Sequence, residues 1–334
     1  MKYTLLLILL VYNFYTKAQI KQAADFGFRH FRLSYDKDTV DILLQSKKGD
    51  ELKTKPVFLF CQGSLPIPLI ITSQYGVVPS FPFDTNMLCE NYHLAIIGKP
   101  GIPLITDISN LQEDLTYLDE STHRPPLIYL RNDHLGYYVN RNLAVIDFLC
   151  NQKFVSTSSL IVSGHSQGAR IALEMALASK KITHLIYASG NPCGQIMSMI
   201  ARARQQEDRY DTTTYVDNDF RLYEAIVADS SRNDTSLGEN FKSIYSFSAS
   251  SIQSFSRIQI PTFICYGSLD IISPFNDYLR AELIRQRKKN FTFRTYVGLN
   301  HNYMGLLDDG TNNYDDYNWD LVAQDWLNWL NNNR

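Results

Sequence analysis

Six short, uninterrupted apolar runs, at residues 56–61, 93–97, 160–163, 182–188, 261–266 and 291–297, constrain this chain more than any other feature. Each has about the length of one strand and lacks the apolar–polar alternation of a strand with one wet face. Such runs fit strands buried on both sides, as in a parallel sheet covered by helices. Helical patterns lie between or beyond several of them, at residues 137–151, 167–179, 276–287 and 319–331. Strands alternating with helices call for right-handed crossovers and a helix-flanked sheet. Ahead of the first run, residues 28–35 and 39–45 alternate around Asp36-Lys37-Asp38, the pattern of an antiparallel hairpin.

The rhythm fails once. From Asn191 to Arg257 there are helical patterns at 196–209 and 219–229, then Ser-, Phe- and Tyr-rich sequence, and no buried-strand signature. We read 191–257 as a helical cap inserted into a core made of 19–190 and 258–334. Tyr245, Phe247 and Phe255 in that segment suit a pocket lining and cap packing equally well. A chain of 334 residues has ample length for such a core. The formal net charge of -2 gives no reason to expect a nucleic acid or an anionic membrane as partner.

The first residues are of another kind. Lys2 precedes the apolar stretch Leu5-Leu6-Leu7-Ile8-Leu9-Leu10-Val11, and small residues stand near Ala18. A charged start, a short apolar stretch and a small-residue site describe a signal peptide, 1–18, cleaved after Ala18. The apolar stretch is shorter than the ~20 residues of a spanning helix. The expectation is export, to a periplasm or the outside, with no stable membrane span after cleavage. Five cysteines, Cys61, Cys89, Cys150, Cys193 and Cys265, show neither a paired framework nor zinc-ligand spacing.

The chemistry-bearing motif is Gly164-His165-Ser166-Gln167-Gly168, set between the run at 160–163 and a helical pattern. A strand that feeds G-x-S-x-G into a helix presents its serine at a sheet edge on a sharp turn. A serine hydroxyl becomes a useful nucleophile only when a base takes its proton, and the base needs a carboxylate to orient it. Candidates occur in the right order. The run 261–266 leads into Gly267-Ser268-Leu269-Asp270, and the run 291–297 leads into Gly298-Leu299-Asn300-His301. Turns at the same-sense ends of parallel strands lie along one edge, where ligands collect. Asp270 could equally cap the helix that begins near Pro274. His93 and His184 begin strands and read as structural, His123 and His134 as surface residues, and His165 as a neighbour of the nucleophile. His301 alone follows the last predicted strand. Arg170 and Glu174 have the i, i+4 spacing of a helical side-chain pair.

These motifs together resemble the α/β-hydrolase superfamily, over nearly the whole mature chain. The resemblance implies an α/β fold with a mostly parallel twisted sheet and a helical cap. It implies Ser166 as nucleophile, His301 as general base and then acid, and Asp270 as the orienting carboxylate. The family's first-strand oxyanion loop corresponds to Gln62-Gly63-Ser64, with glutamine where histidine is usual. The backbone N–H groups of Ser64 and Gln167 are then the expected oxyanion donors.

The resulting expectation is an exported serine hydrolase acting on a carboxylic ester, with no metal or organic cofactor. Its partner would be a small acyl substrate or a short peptide. A thioesterase, an oligopeptidase-like amidase, an acyltransferase and a non-catalytic binding protein on the same fold are the alternatives.

Overall fold

The structure, a computed structural model, describes residues 21–333 apart from 211, 213 and 234–239. The expected signal segment, 1–18, lies outside the described residues. Eight strands form the central sheet, numbered here in chain order: β1 Phe28–Tyr35, β2 Asp38–Gln45, β3 Lys55–Cys61, β4 His93–Ile97, β5 Val155–His165, β6 His184–Ala188, β7 Thr262–Gly267 and β8 Phe291–Tyr296. Their spatial order is β1-β2-β4-β3-β5-β6-β7-β8. β2 runs antiparallel to both of its neighbours. All other adjacent strands are parallel.

Burial on both faces explains the uninterrupted apolar runs. Along β3, Val57, Leu59 and Cys61 join one core layer, and Phe58 and Phe60 join the other. The first layer is closed by α1 (Leu135–Cys150) and α2 (Gln167–Ala178). The second is closed by the C-terminal helix Trp319–Asn332, whose Trp326 stacks on Phe58 with ring centroids 6.1 Å apart. β8 departs from the expectation of a doubly buried strand. It is the edge of the sheet, its residues alternate between half-buried and exposed, and it stops at Tyr296 with Val297 exposed. An edge strand with one wet face needs alternation, and Thr292, Arg294 and the aromatics between them supply it.

Between β6 and β7 the described residues form four helices: α3 (Gln195–Gln206), α4 (Tyr215–Ala228), α5 (Phe241–Ser248) and α6 (Ile252–Arg257). α3 and α4 close a small core of their own around Ile196, Ile200, Ala203 and Val216. α6 belongs elsewhere. Its Phe255 is fully buried in the main core, edge-on to Tyr187 at 4.9 Å. Of the three aromatics noted in this segment, only Phe247 borders the cavity described below, and Tyr245 is exposed. Two small sheets escaped the sequence reading: three strands at Ile70–Ser73, Gly76–Val78 and Ile105–Asp107, and a hairpin of Met304–Leu306 with Asn312–Tyr317. Among the described residues no helix is long and apolar enough to cross a membrane.

Candidate active site

The registers bring the ends of the parallel strands into line. His165 is level with Ala188, Ala188 with Cys265, and Gly267 with Tyr296. The loops leaving β5, β7 and β8 therefore open on one edge, and they carry Ser166, Asp270 and His301.

Ser166 is the turn between β5 and α2. Its backbone has φ 57° and ψ -121°, and its N–H donates to the Ala188 carbonyl at 2.9 Å. A positive φ at a residue with a side chain costs about 1–3 kcal/mol and persists only where the surroundings impose it. The flanking glycines are what permit it. A Cβ at Gly168 would be driven into the carbonyls of Cys61 and Gln62, and one at Gly164 into the Gly168 carbonyl. Helix α2 thus starts against the end of β3, closer than any larger residue allows.

His301 bridges the other two residues. Its Nε2 lies 3.0 Å from Ser166 Oγ, and its Nδ1 lies 2.6 Å from Asp270 Oδ2. A carboxylate oxygen accepts, so Nδ1 carries the proton and Nε2 is left to accept from the serine hydroxyl. The Asp270 side chain is 1% exposed and that of His301 is 39% exposed. The acid is sealed while the imidazole reaches the solvent-facing side. Asp270 does not cap the helix that follows, α7 (Ser273–Arg285), whose N-cap is Ile272; its Oδ1 accepts from the Ile272 N–H at 3.2 Å and fixes the turn ahead of that helix.

The remaining expected site residues lie close by. A Cβ on Gly63 would stand 3.7 Å from Ser166 Cβ, so the loop 62–64 lies against the serine. That loop is pinned at two points: Gln62 Nε2 donates to the Ile97 carbonyl at 2.8 Å, and Tyr129 Oη donates to the Ser64 carbonyl at 2.7 Å. Gln167 is the first residue of α2, where backbone N–H groups have no intrahelical acceptor.

The other histidines sort by their partners. His93 sits between Ser46 Oγ at 2.7 Å and the Lys53 carbonyl at 2.9 Å, and His184 bonds the Asn333 carbonyl at 2.8 Å. His134 is not a plain surface residue; its half-buried ring accepts from the Tyr137 N–H at 3.3 Å and caps α1. His165 packs 5.0 Å from both the His301 and Trp319 rings, and its Nε2 donates to the His301 carbonyl at 2.9 Å. Burial first, then the proximity of His301, push its imidazole down to about 3, so it stays neutral.

Lys99 was not foreseen. It follows β4 and is buried, and its Nζ donates to Gln167 Oε1 at 3.1 Å beneath the elbow. Burial pushes it down to about 8, against the charge of Asp133. The sequence signal was a lysine two positions beyond a buried strand, in Gly98-Lys99-Pro100-Gly101. All five cysteines are free thiols, and the described residues contain no His/Cys/Asp/Glu group able to hold a metal ion.

Above Ser166 opens a cavity of about 280 Å³. Its lining includes Ser64, Gln167, Asp270 and His301 from the sheet edge, and Asn191, Gln195, Ser198 and Arg202 from the segment after β6.

No protein-family model and no curated protein matches the sequence. Solved structures do match. A putative dipeptidyl aminopeptidase IV from Bacteroides ovatus superposes with a TM-score of 0.56 at 11% identity, over 92% of this chain and 36% of its own. The acylaminoacyl peptidase of Pyrococcus horikoshii gives 0.51 at 14%, over 82% and 37%. E-2-(acetamidomethylene)succinate hydrolase gives 0.51 at 11%, over 91% and 99%. The chain has the α/β-hydrolase fold. It spans little more than a third of the length of the two peptidases and nearly all of the third protein. In this α/β-hydrolase fold, α3 and α5 contribute Gln195, Ser198, Arg202 and Phe247 to the lining of the cavity above Ser166.

Proposed function

We propose that the protein is a serine hydrolase whose substrate is a carboxylic ester. One observation carries the reading: Asp270, His301 and Ser166 form an unbroken hydrogen-bonded chain that ends at the floor of a cavity. In the first half-reaction Ser166 Oγ bonds to the carbonyl carbon as its proton passes to His301 Nε2. The carbonyl oxygen gains negative charge between the N–H groups of Gln167 and Ser64, each worth about 3 kcal/mol to the transition state. The alkoxide then leaves with the proton from Nε2, and Ser166 remains acylated. Water enters, gives its proton to His301 and takes the acyl group as the acid, and Ser166 recovers its hydrogen. Asp270 holds Nδ1 toward itself and stabilises the imidazolium of each step. No step in this sequence calls for a cofactor.

We further read residues 1–18 as removed on export, which puts the enzyme in a periplasm or outside the cell.

The test of the reaction is hydrolysis of short-chain esters by the purified mature protein beside its Ser166→Ala and His301→Ala variants. Turnover should fall by at least about a thousandfold in both. Ester hydrolysis that survives in Ser166→Ala would sink the proposal.

A further inference from the structure

The roof of the cavity has a chemistry of its own. Helix α3 is amphipathic in an unusual sense. Ile196, Ile200 and Ala203 pack into the roof core, while Gln195, Ser198 and Arg202, at i, i+3 and i+7, border the cavity. Its polar stripe therefore overlooks the nucleophile. Arg202 makes no hydrogen bond or ion pair among the described residues, and its neighbour on the stripe, Ser198, accepts from Asn191 Nδ2 at 2.8 Å.

A second guanidinium borders the same space. Arg170 stands one turn along α2 from Ser166. Its Nη1 donates to the Ala249 carbonyl at 2.9 Å and its Nη2 pairs with Glu174 at 3.2 Å. Its Nε is buried with no partner among the described residues. That Nε is sealed from solvent, so Arg170 is held in place by Ala249 and Glu174 rather than offered to a ligand. Ile271, Ile272 and Phe247 are the apolar side chains of the lining.

Asp270 is committed to His301, and Glu174 offsets Arg170. One positive charge, that of Arg202, is left without a counter-ion. That suits one carboxylate better than a phosphate, which carries nearly two negative charges.

Resting on the ester-hydrolase reading above, we propose that the substrate's acyl chain ends in a carboxylate, so that the enzyme prefers half-esters of short dicarboxylic acids. The chain methylenes lie along Ile271, Ile272 and Phe247. The distal carboxylate takes the fork of Arg202. A planar guanidinium meets a carboxylate through two parallel hydrogen bonds, which a neutral chain of equal length cannot make.

The experiment compares monomethyl glutarate with methyl valerate, which have the same number of acyl carbons. In the wild-type protein kcat/KM should favour the glutarate at least about tenfold. In Arg202→Gln the ratio of the two kcat/KM values should fall by about 10- to 100-fold. A wild-type preference for valerate, or an unchanged ratio in Arg202→Gln, overturns the proposal. A second measurement does not need turnover. Calorimetry of monomethyl glutarate with Ser166→Ala should show binding that the added Arg202→Gln weakens at least about tenfold, and absence of binding again overturns it. Failure of the ester-hydrolase reading itself would appear elsewhere, as hydrolysis that does not depend on Ser166.

Discussion

Lys99 Nζ donates to Oε1 of Gln167 at 3.1 Å, which places a buried cation directly under the residue that follows the nucleophile. Lys99 also lies over the Tyr138 ring, 4.6 Å from its centroid. The contact ties the loop after β4 to the start of α2. Its cost is a charge taken out of water.

That cost has a pH signature. Burial lowers the folded-state value of Lys99 from 10.5 to about 8. Below 8 the lysine is charged in both states and the penalty is full. Between 8 and 10.5 the unfolded chain binds the proton and the folded chain does not, so folding gains stability as pH rises. Lys99→Met removes the penalty. Its stability relative to the wild type should therefore shrink by about 3 kcal/mol as pH rises from 8 to 10.5, read from urea unfolding. A difference that stays constant with pH would mean Lys99 is not a buried cation.

His165 should shape the acid side. Its folded-state value is pushed down from 6.5 to about 3 by burial and then by His301. As pH falls below 6.5 the unfolded chain takes up a proton that the folded chain refuses, and stability drains away until about pH 3. The slope amounts to about 1.4 kcal/mol per pH unit for this one group. His165→Gln keeps a donor for the His301 carbonyl and cannot titrate. Its unfolding free energy should fall less steeply than the wild type's between pH 6 and 4, by about that slope. Parallel curves would remove His165 from the account.

The fit of α2 against β3 predicts a cost for a single methyl group. Gly168→Ala drives a Cβ into the backbone carbonyls of Cys61 and Gln62, which cannot swing aside as a side chain would. Overpacking of this kind costs about 1–3 kcal/mol. The same shift would move Ser166 relative to the loop 62–64, so turnover should fall by more than the loss of folded protein explains. Chemical denaturation and kcat on the folded fraction separate the two. Wild-type stability in Gly168→Ala would show that the two elements are not so tightly pressed.

Much of this was legible because the parallel sheet writes itself into the chain. Strands wetted on neither face must be apolar at every position, so β3, β5, β6 and β7 announced themselves, and the turns after them carried Ser166 and Asp270. β8 was found for a weaker reason. Its aromatics suggested burial, and only the sheet order reveals it as an edge. The small strands at Ile70–Ser73, Gly76–Val78 and Met304–Leu306 are too short to show a period of their own. Lys99, Arg170 and Arg202 were illegible for a different reason. A cation on a loop or helix normally points to water, and no local pattern says that Lys99 will be buried or that Arg170 and Arg202 will border a cavity built from elements far along the chain. Arg170 and Glu174 do pair as their spacing suggests, yet Arg170 also donates to Ala249 and borders the cavity.

The central claim is that Ser166 is a nucleophile activated through His301. Labelling with a fluorophosphonate, followed by mass spectrometry of the peptides, tests it directly. The account predicts a phosphonylated Ser166 in the folded wild-type protein, and labelling that is lost on unfolding and nearly lost in His301→Ala. A folded protein whose Ser166 stays unlabelled, or labels equally well without His301, would contradict it.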